Sequence, residues 1–258
     1  MLRHLTSMTY PEVEEVEKSS VLIIPIGSTE QHGPHLPVLT DSIITNALAE
    51  VLAQRRPDKS ILAPPITIGA SHEHIHFPGT LSIGNEVLTS MVVELGRSAS
   101  RFAGTLFITA HGGNVIAMAR GIEILKGEKR RVTAWWPTQE VLRQAALRWS
   151  GPDEARGLEH PDLHAGRTET SAMMALAPDM VHLDRAESGG SSNFEQILPH
   201  MINYGVKAVS TNGVIGDPTG SNQEEGAAIL GAFSNSLVEH FDGFYATVIH
   251  APVAWPTL

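Results

Sequence analysis

Val21–Ile26 (VLIIPI) is the segment that most restricts what this chain can fold into. Six apolar, mostly branched residues run unbroken to Gly27, with no polar alternation that would leave one face in water. Such a run reads as a strand buried on both faces, and therefore as part of a parallel sheet covered by helices. The following segments fit that frame. Asp41–Arg55 places Ile44, Leu48, Val51 and Leu52 at helical spacing. Ile61–Ile68 predicts a second strand, interrupted by Pro64 and Pro65, and Glu86–Phe102 predicts an amphipathic helix. Thr105–Ala110 predicts another buried strand, Ala117–Leu125 a helix and Val132–Trp136 a further strand. This alternation predicts an α/β fold with a mostly parallel, doubly wound sheet.

Beyond the fourth strand the pattern loosens. Leu147–Asp162 predicts a loop or an ordered excursion, and Thr168–Ala177 a helix that stops before Pro178. Glu187–Val209 has no clear period, Asn212–Ser221 is turn chemistry, and Asn222–Phe241 predicts a final helix. No repeat, low-complexity tract or linker divides the chain, so 1–258 reads as a single domain.

Composition narrows the function classes. The chain carries 18 basic and 28 acidic residues, a net charge of −10. That balance disfavours nucleic acid as a partner. The basic stretch Lys126–Arg131 reads as a solvated helix end. Cysteine is absent, which removes disulfides, thiolate metal sites and thiol nucleophiles. Any metal must be held by His, Asp and Glu. The first twenty residues lack the apolar core of a secretory signal, and no apolar run approaches the roughly 18 residues that span a bilayer. The expectation is a cytoplasmic protein with no membrane contact.

Four polar clusters could carry chemistry. The first, Gly27–Asp41 (GSTEQHGPHLPVLTD), follows the carboxyl end of a buried strand, where open α/β sheets place their sites. Glu30 and His32 are two apart and share a face of an extended segment, and Asp41 opens the next helix. Two carboxylates and an imidazole suit a divalent metal such as zinc, manganese or iron, although the carboxylates could instead cap backbone amides. The second, His111–Asn114 (HGGN), also ends a strand, and His111 could add a fourth ligand. The third, His164–Ser171 (HAGRTETS), offers Glu169 as a ligand and His164 as a proton carrier, set against a capping box built on Thr168 and Ser171. The fourth, Ser71–Thr80 (SHEHIHFPGT), has three alternating histidines that read as a substrate-facing wall or as metal ligands. No GxSxG, GxxxxGK[ST] or GxGxxG occurs, so neither a serine nucleophile elbow nor a nucleotide loop is indicated.

Taken together, GSTEQHGPHLPVLTD, the FPGT of Phe77–Thr80, HGGN, HAGRTETS and the GVIGDP of Gly213–Pro218 resemble the creatininase family of metal-dependent amidohydrolases, in family order from about Val21 to Phe241. The resemblance implies a three-layer α/β/α fold, two divalent metal ions per chain and a homo-oligomer, with a hexamer favoured. By motif position, Glu30 and His111 would hold one metal, His32 the other, and Asp41 would bridge both. Creatinine-cleaving members have a Glu in place of Gly113 that ligates the second metal; here Glu169 is the candidate replacement. His164 would protonate the leaving nitrogen, Gly112 and Gly113 amides would support the oxyanion, and His74 and Asn114 would contact substrate. The HGGN subgroup includes formamide hydrolases. It also includes a peptidase that removes a C-terminal Val-Tyr dipeptide from a modified precursor peptide, which these segments resemble most, apart from a longer insert at Ala145–Asp162. A cyclic-amide hydrolase, with creatinine itself disfavoured, and a non-catalytic metal- or sugar-binding module are the alternatives.

Overall fold

The computed structural model describes residues 2–138, 140–142, 162–190 and 194–249. Of the insert expected at Ala145–Asp162, all but Asp162 falls outside them. Four parallel strands form the sheet: β1 (Val21–Pro25), β2 (Ser60–Leu62), β3 (Gly104–Ile108) and β4 (Val132–Trp135), in the order β2-β1-β3-β4. Their helices are α1 (Tyr10–Val16), α2 (Thr40–Arg55), α3 (Gly84–Ser98) and α4 (Val115–Gly127), then α5 (Arg167–Leu176), α6 (Phe194–Tyr204) and α7 (Gln223–Val248).

Alternate residues of each strand feed two separate cores. Val21, Ile23, Leu106 and Ile108 pack with Leu48 and Leu52 of α2, Met173 of α5, and Phe233, Leu237 and Phe241 of α7. Leu22, Ile24 and Phe107 pack on the opposite face with Leu88 and Val92 of α3 and Met118 and Leu125 of α4. The result is the expected α/β/α sandwich. Each fully buried side chain of this size contributes roughly 1.5–3 kcal/mol, so both cores are needed to hold the sheet.

Two departures have plain causes. The second strand ends at Leu62, because Pro64 and Pro65 have no N–H to give the ladder; Ile66 rejoins only as an isolated bridge to Ile26. The stretch before residue 209, expected to have no clear period, contains α6; Phe194, Ile197, Leu198 and Met201 do keep helical spacing there, and Pro199 is the helix breaker that disguises it. At the N-terminus α1 starts on a capping box between Thr9 and Glu12, with Pro11 in its first turn.

The direction in which strands are added to the sheet reverses between β1 and β3, the two central strands, although all four run parallel. β1 leads through α2 outward to β2, whereas β3 leads through α4 outward to β4. The crevice at their carboxyl ends is therefore a topological switch point. The loops after β1 and β3 carry Glu30, His32 and His111.

Candidate metal centre

Four loops and two helix starts converge on that crevice. The 27–41 loop folds back on itself, with Glu30 N–H donating to Val38 O at 2.9 Å and His32 bridging Leu36. Asp41 stands in the first turn of α2, where the helix N-terminus favours its charge. His111 directly follows β3. Asp41 Oδ2 lies 3.2 Å from His111 Nδ1, 3.5 Å from His32 Nε2 and 2.6 Å from Ser28 Oγ, which donates to it. Glu30 Oε2 lies 3.2 Å from His111 Nε2, and Glu30 Oε1 lies 3.3 Å from His74 Nε2. Glu169 Oε2 is 3.8 Å from His32 Nε2. Of the expected residues, Glu30, His32, Asp41, His74, His111, His164 and Glu169 are thus brought together.

Helix α5 is held so that Glu169 faces inward. Asp162 caps it, accepting from Thr168 N–H at 2.7 Å and from the Thr168 hydroxyl, which replaces the expected Thr168–Ser171 box. Arg167 Nε donates to both Glu225 carboxylate oxygens, at 2.9 and 2.8 Å, and Thr170 Oγ1 pairs with His35 Nε2 at 2.9 Å.

The other expected residues divide. The segment around residue 74 is a 3-10 turn, His72–His74, and not an extended wall; it turns His74 inward and leaves His72 and His76 exposed. Gly112 is exposed and Gly113 is half-buried. Asn114 has its side-chain amide engaged within the protein. It is fully buried, accepting from Ala70 N–H at 2.8 Å and donating to Gly27 O at 2.9 Å, so its amide is spent on joining loops. Glu73 was not anticipated. Its carboxylate lies beside the place where a Cβ on Gly113 would stand, 4.0 Å from His111 Nε2. A position following the first His of an H-x-H-x-H run was the only signal for it.

The residues present fit a cation. Glu30 is completely buried, yet neither of its oxygens has a hydrogen-bond partner, and His32 Nε2 is equally orphaned. Imidazoles stand at ion-pair distance from these atoms, but a buried carboxylate that accepts no hydrogen bond is costly, and a cation at the centre would satisfy it. Among the described residues, Glu30–Asp41–His111, His32–His164–Glu169 and Glu30–His74–His164 each bring three ligand atoms within 4.8 Å of one another. Without a cation the protons redistribute. Burial pushes Glu30 up to about 8 against the pull of His111, and burial pushes Glu169 up to about 7. Burial works to lower His32, but Asp41, Glu169 and Glu30 outweigh it and hold it near 10. Burial, with His111 and His32 nearby, drives His74 down to about 3.

A parallel α/β/α sheet with a His–carboxylate cluster at its switch point has the architecture of a hydrolase. Residues 6–241 match the family model described as creatininase, creatinine amidohydrolase, and the chain belongs to this family of metal-dependent amidohydrolases. The chain is 38% identical over 224 residues to a mycofactocin precursor peptide peptidase of Mycolicibacterium smegmatis, covering 85% of this chain and 83% of that one. It is 39% identical over 229 residues to the protein of the same name from Mycobacterium tuberculosis, covering 85% and 84%. A solved structure titled "Creatininase Mn" superposes with a TM-score of 0.79 at 23% identity, over 95% of this chain and 99% of that one, which supports the fold. No helix among the described residues is long and apolar enough to cross a membrane.

Proposed function

We propose that this single-domain chain is a two-metal peptidase that trims the C-terminus of a mycofactocin precursor peptide, releasing a Val-Tyr dipeptide. The observation that carries the metal reading is the buried ligand set with orphaned atoms, Glu30 and His32 foremost. Glu30 and His111 would hold one ion, His32 and Glu169 the other, and Asp41, which faces both His32 and His111, would bridge them. The substrate reading is supported by relatives of that name, alike across most of both chains.

Zinc, manganese or iron bound there would supply the Lewis acidity that activates water and polarises a carbonyl at neutral pH. His164, buried beside Glu30, would carry the proton to the leaving nitrogen, because an amine leaves poorly without one. The Gly112 and Gly113 amides lie beside His111 and would donate to the oxyanion. We also read the chain as a cytoplasmic homo-oligomer, with a hexamer favoured, which light scattering on the purified protein tests.

The direct test combines elemental analysis with mass spectrometry of the modified precursor peptide after incubation. Two metals per chain and a released Val-Tyr dipeptide are the expected results. A metal-free protein would remove the centre. A metal-loaded protein that spares the peptide but opens a cyclic amide or a formamide would move the substrate elsewhere in the family.

A further inference from the structure

Gln31 lies between two expected metal ligands, and its amide can be oriented without ambiguity. Oε1 accepts the Gly33 N–H at 2.9 Å, and Nε2 lies 3.1 Å from the Gly213 carbonyl oxygen. A main-chain N–H only donates and a carbonyl only accepts, so the NH2 group faces Gly213. Gly213 has φ +85°, and a Cβ there would collide with Gln31 Oε1, so the glycine of the GVIGDP motif leaves room for this amide.

The second Nε2 hydrogen has two neighbours, His74 Nδ1 at 2.8 Å and His164 Nε2 at 3.0 Å. His164 Nε2 also lies 2.8 Å from the Gln31 main-chain oxygen, to which it can only donate. It therefore carries a hydrogen and cannot accept one from the amide. The amide hydrogen goes to His74 Nδ1, which leaves the hydrogen of a neutral His74 on Nε2.

We propose that Gln31 is a positioning residue that sets the proton pattern of the centre, so that His74 presents an Nε2–H donor and His164 an Nδ1 lone pair beside Glu30. Both atoms face Glu30 Oε1, at 3.3 Å and 3.7 Å, and the two rings stand 4.3 Å apart. The Glu30–His74–His164 cluster is then not a metal site despite its spacing, because His74 Nε2 has no free lone pair to offer. In its kinetic consequence the inference rests on the hydrolytic reading above. A C–O bond forms from water as the C–N bond breaks. His164 Nδ1 takes the proton that water loses and gives it to the departing nitrogen, while His74 N–H donates to the developing oxyanion.

Ring-15N-histidine NMR on the full-length, zinc-loaded protein tests this, with His74→Ala and His164→Ala used for assignment. Wild type is expected to show both histidines protonated at Nε2. In Gln31→Glu the carboxylate accepts from His74, whose hydrogen moves to Nδ1, whereas His164 stays unchanged because its partner is main chain. Zinc content stays constant, and kcat on the precursor peptide falls about 10²-fold, with KM changing less than about twofold. A wild-type His74 protonated at Nδ1, or a His74 indifferent to Gln31→Glu, overturns the assignment. A tautomer switch with unchanged kcat overturns its use in catalysis. Gln31→Met serves if the charged variant does not fold: His74 should then populate both tautomers, and a single unchanged Nε2–H form would count against the proposal. The NMR result is independent of whether any peptide is cleaved.

Discussion

Ser28 Oγ donates a 2.6 Å hydrogen bond to Asp41 Oδ2, the same oxygen that faces His32 and His111. Ser28 is fully buried, and its own carbonyl accepts from Ser42 Oγ at 2.6 Å, so the bond is fixed from both ends. Partners of this kind hold a ligand's orientation. Ser28→Ala is expected to weaken metal binding roughly 10- to 100-fold with the fold intact. Competition with a chromogenic chelator measures this; unchanged affinity would show that Asp41 is oriented without the serine.

Asp41→Ala removes the carboxylate that, among the described residues, stands within 3.5 Å of both His32 and His111. Turnover should vanish and bound metal should drop, while far-ultraviolet circular dichroism stays native. A variant that keeps its metal and its activity would refute the bridging role.

His164→Ala should separate proton transfer from metal binding. A fall in kcat of roughly 10²–10⁴-fold with metal retained is the expected outcome. Steady-state kinetics with parallel elemental analysis decides it, and an undiminished kcat would take His164 out of the reaction.

Acid should weaken the join between the 27–41 loop and α5. His35 is fully buried against Thr170, and burial, reinforced by His32, lowers its pKa to about 4. An unfolded histidine takes up its proton near 6.5, before the folded one does. This group's contribution is therefore complete above about pH 6.5, declines as pH falls toward 4, and is lost below it, an effect of order 3 kcal/mol. The gap in stability between wild type and His35→Gln, from urea unfolding, should shrink or reverse across that interval. A constant gap would rule out His35 as the source.

The Glu30, His32, Asp41 and His111 set was legible in the sequence because each residue follows a buried apolar run or opens a helix, and strand ends of a parallel sheet meet at one edge. The central strands were legible for the same reason. Pro199 disguises α6 because proline is a helix breaker, although the apolar spacing around it is helical, whereas the Thr9–Glu12 box that starts α1 is a signal carried by the sequence itself. Alternating histidines suggested an extended segment after Ser71, but the chain makes a 3-10 turn there, which selects His74 alone and carries Glu73 to the space above Gly113. Gln31 gave no signal, because its surroundings, His74, His164 and Gly213, lie 43, 133 and 182 residues away.

The order β2-β1-β3-β4 also governs which part of the molecule yields first. Both loops with the richest ligand content grow from interior strands that have a neighbour on each side, while among the described residues the three-residue β2, bridged on its outer side only by His4, and the partly covered β4 form the margins. Fraying at either margin leaves the Val21–Pro25 and Gly104–Ile108 pairing intact. Amide hydrogens of those two strands should consequently exchange only through complete unfolding. The centre is therefore expected to stand on the slowest-opening part of the sheet, and damage to its edges should shorten the protein's lifetime before it alters the chemistry.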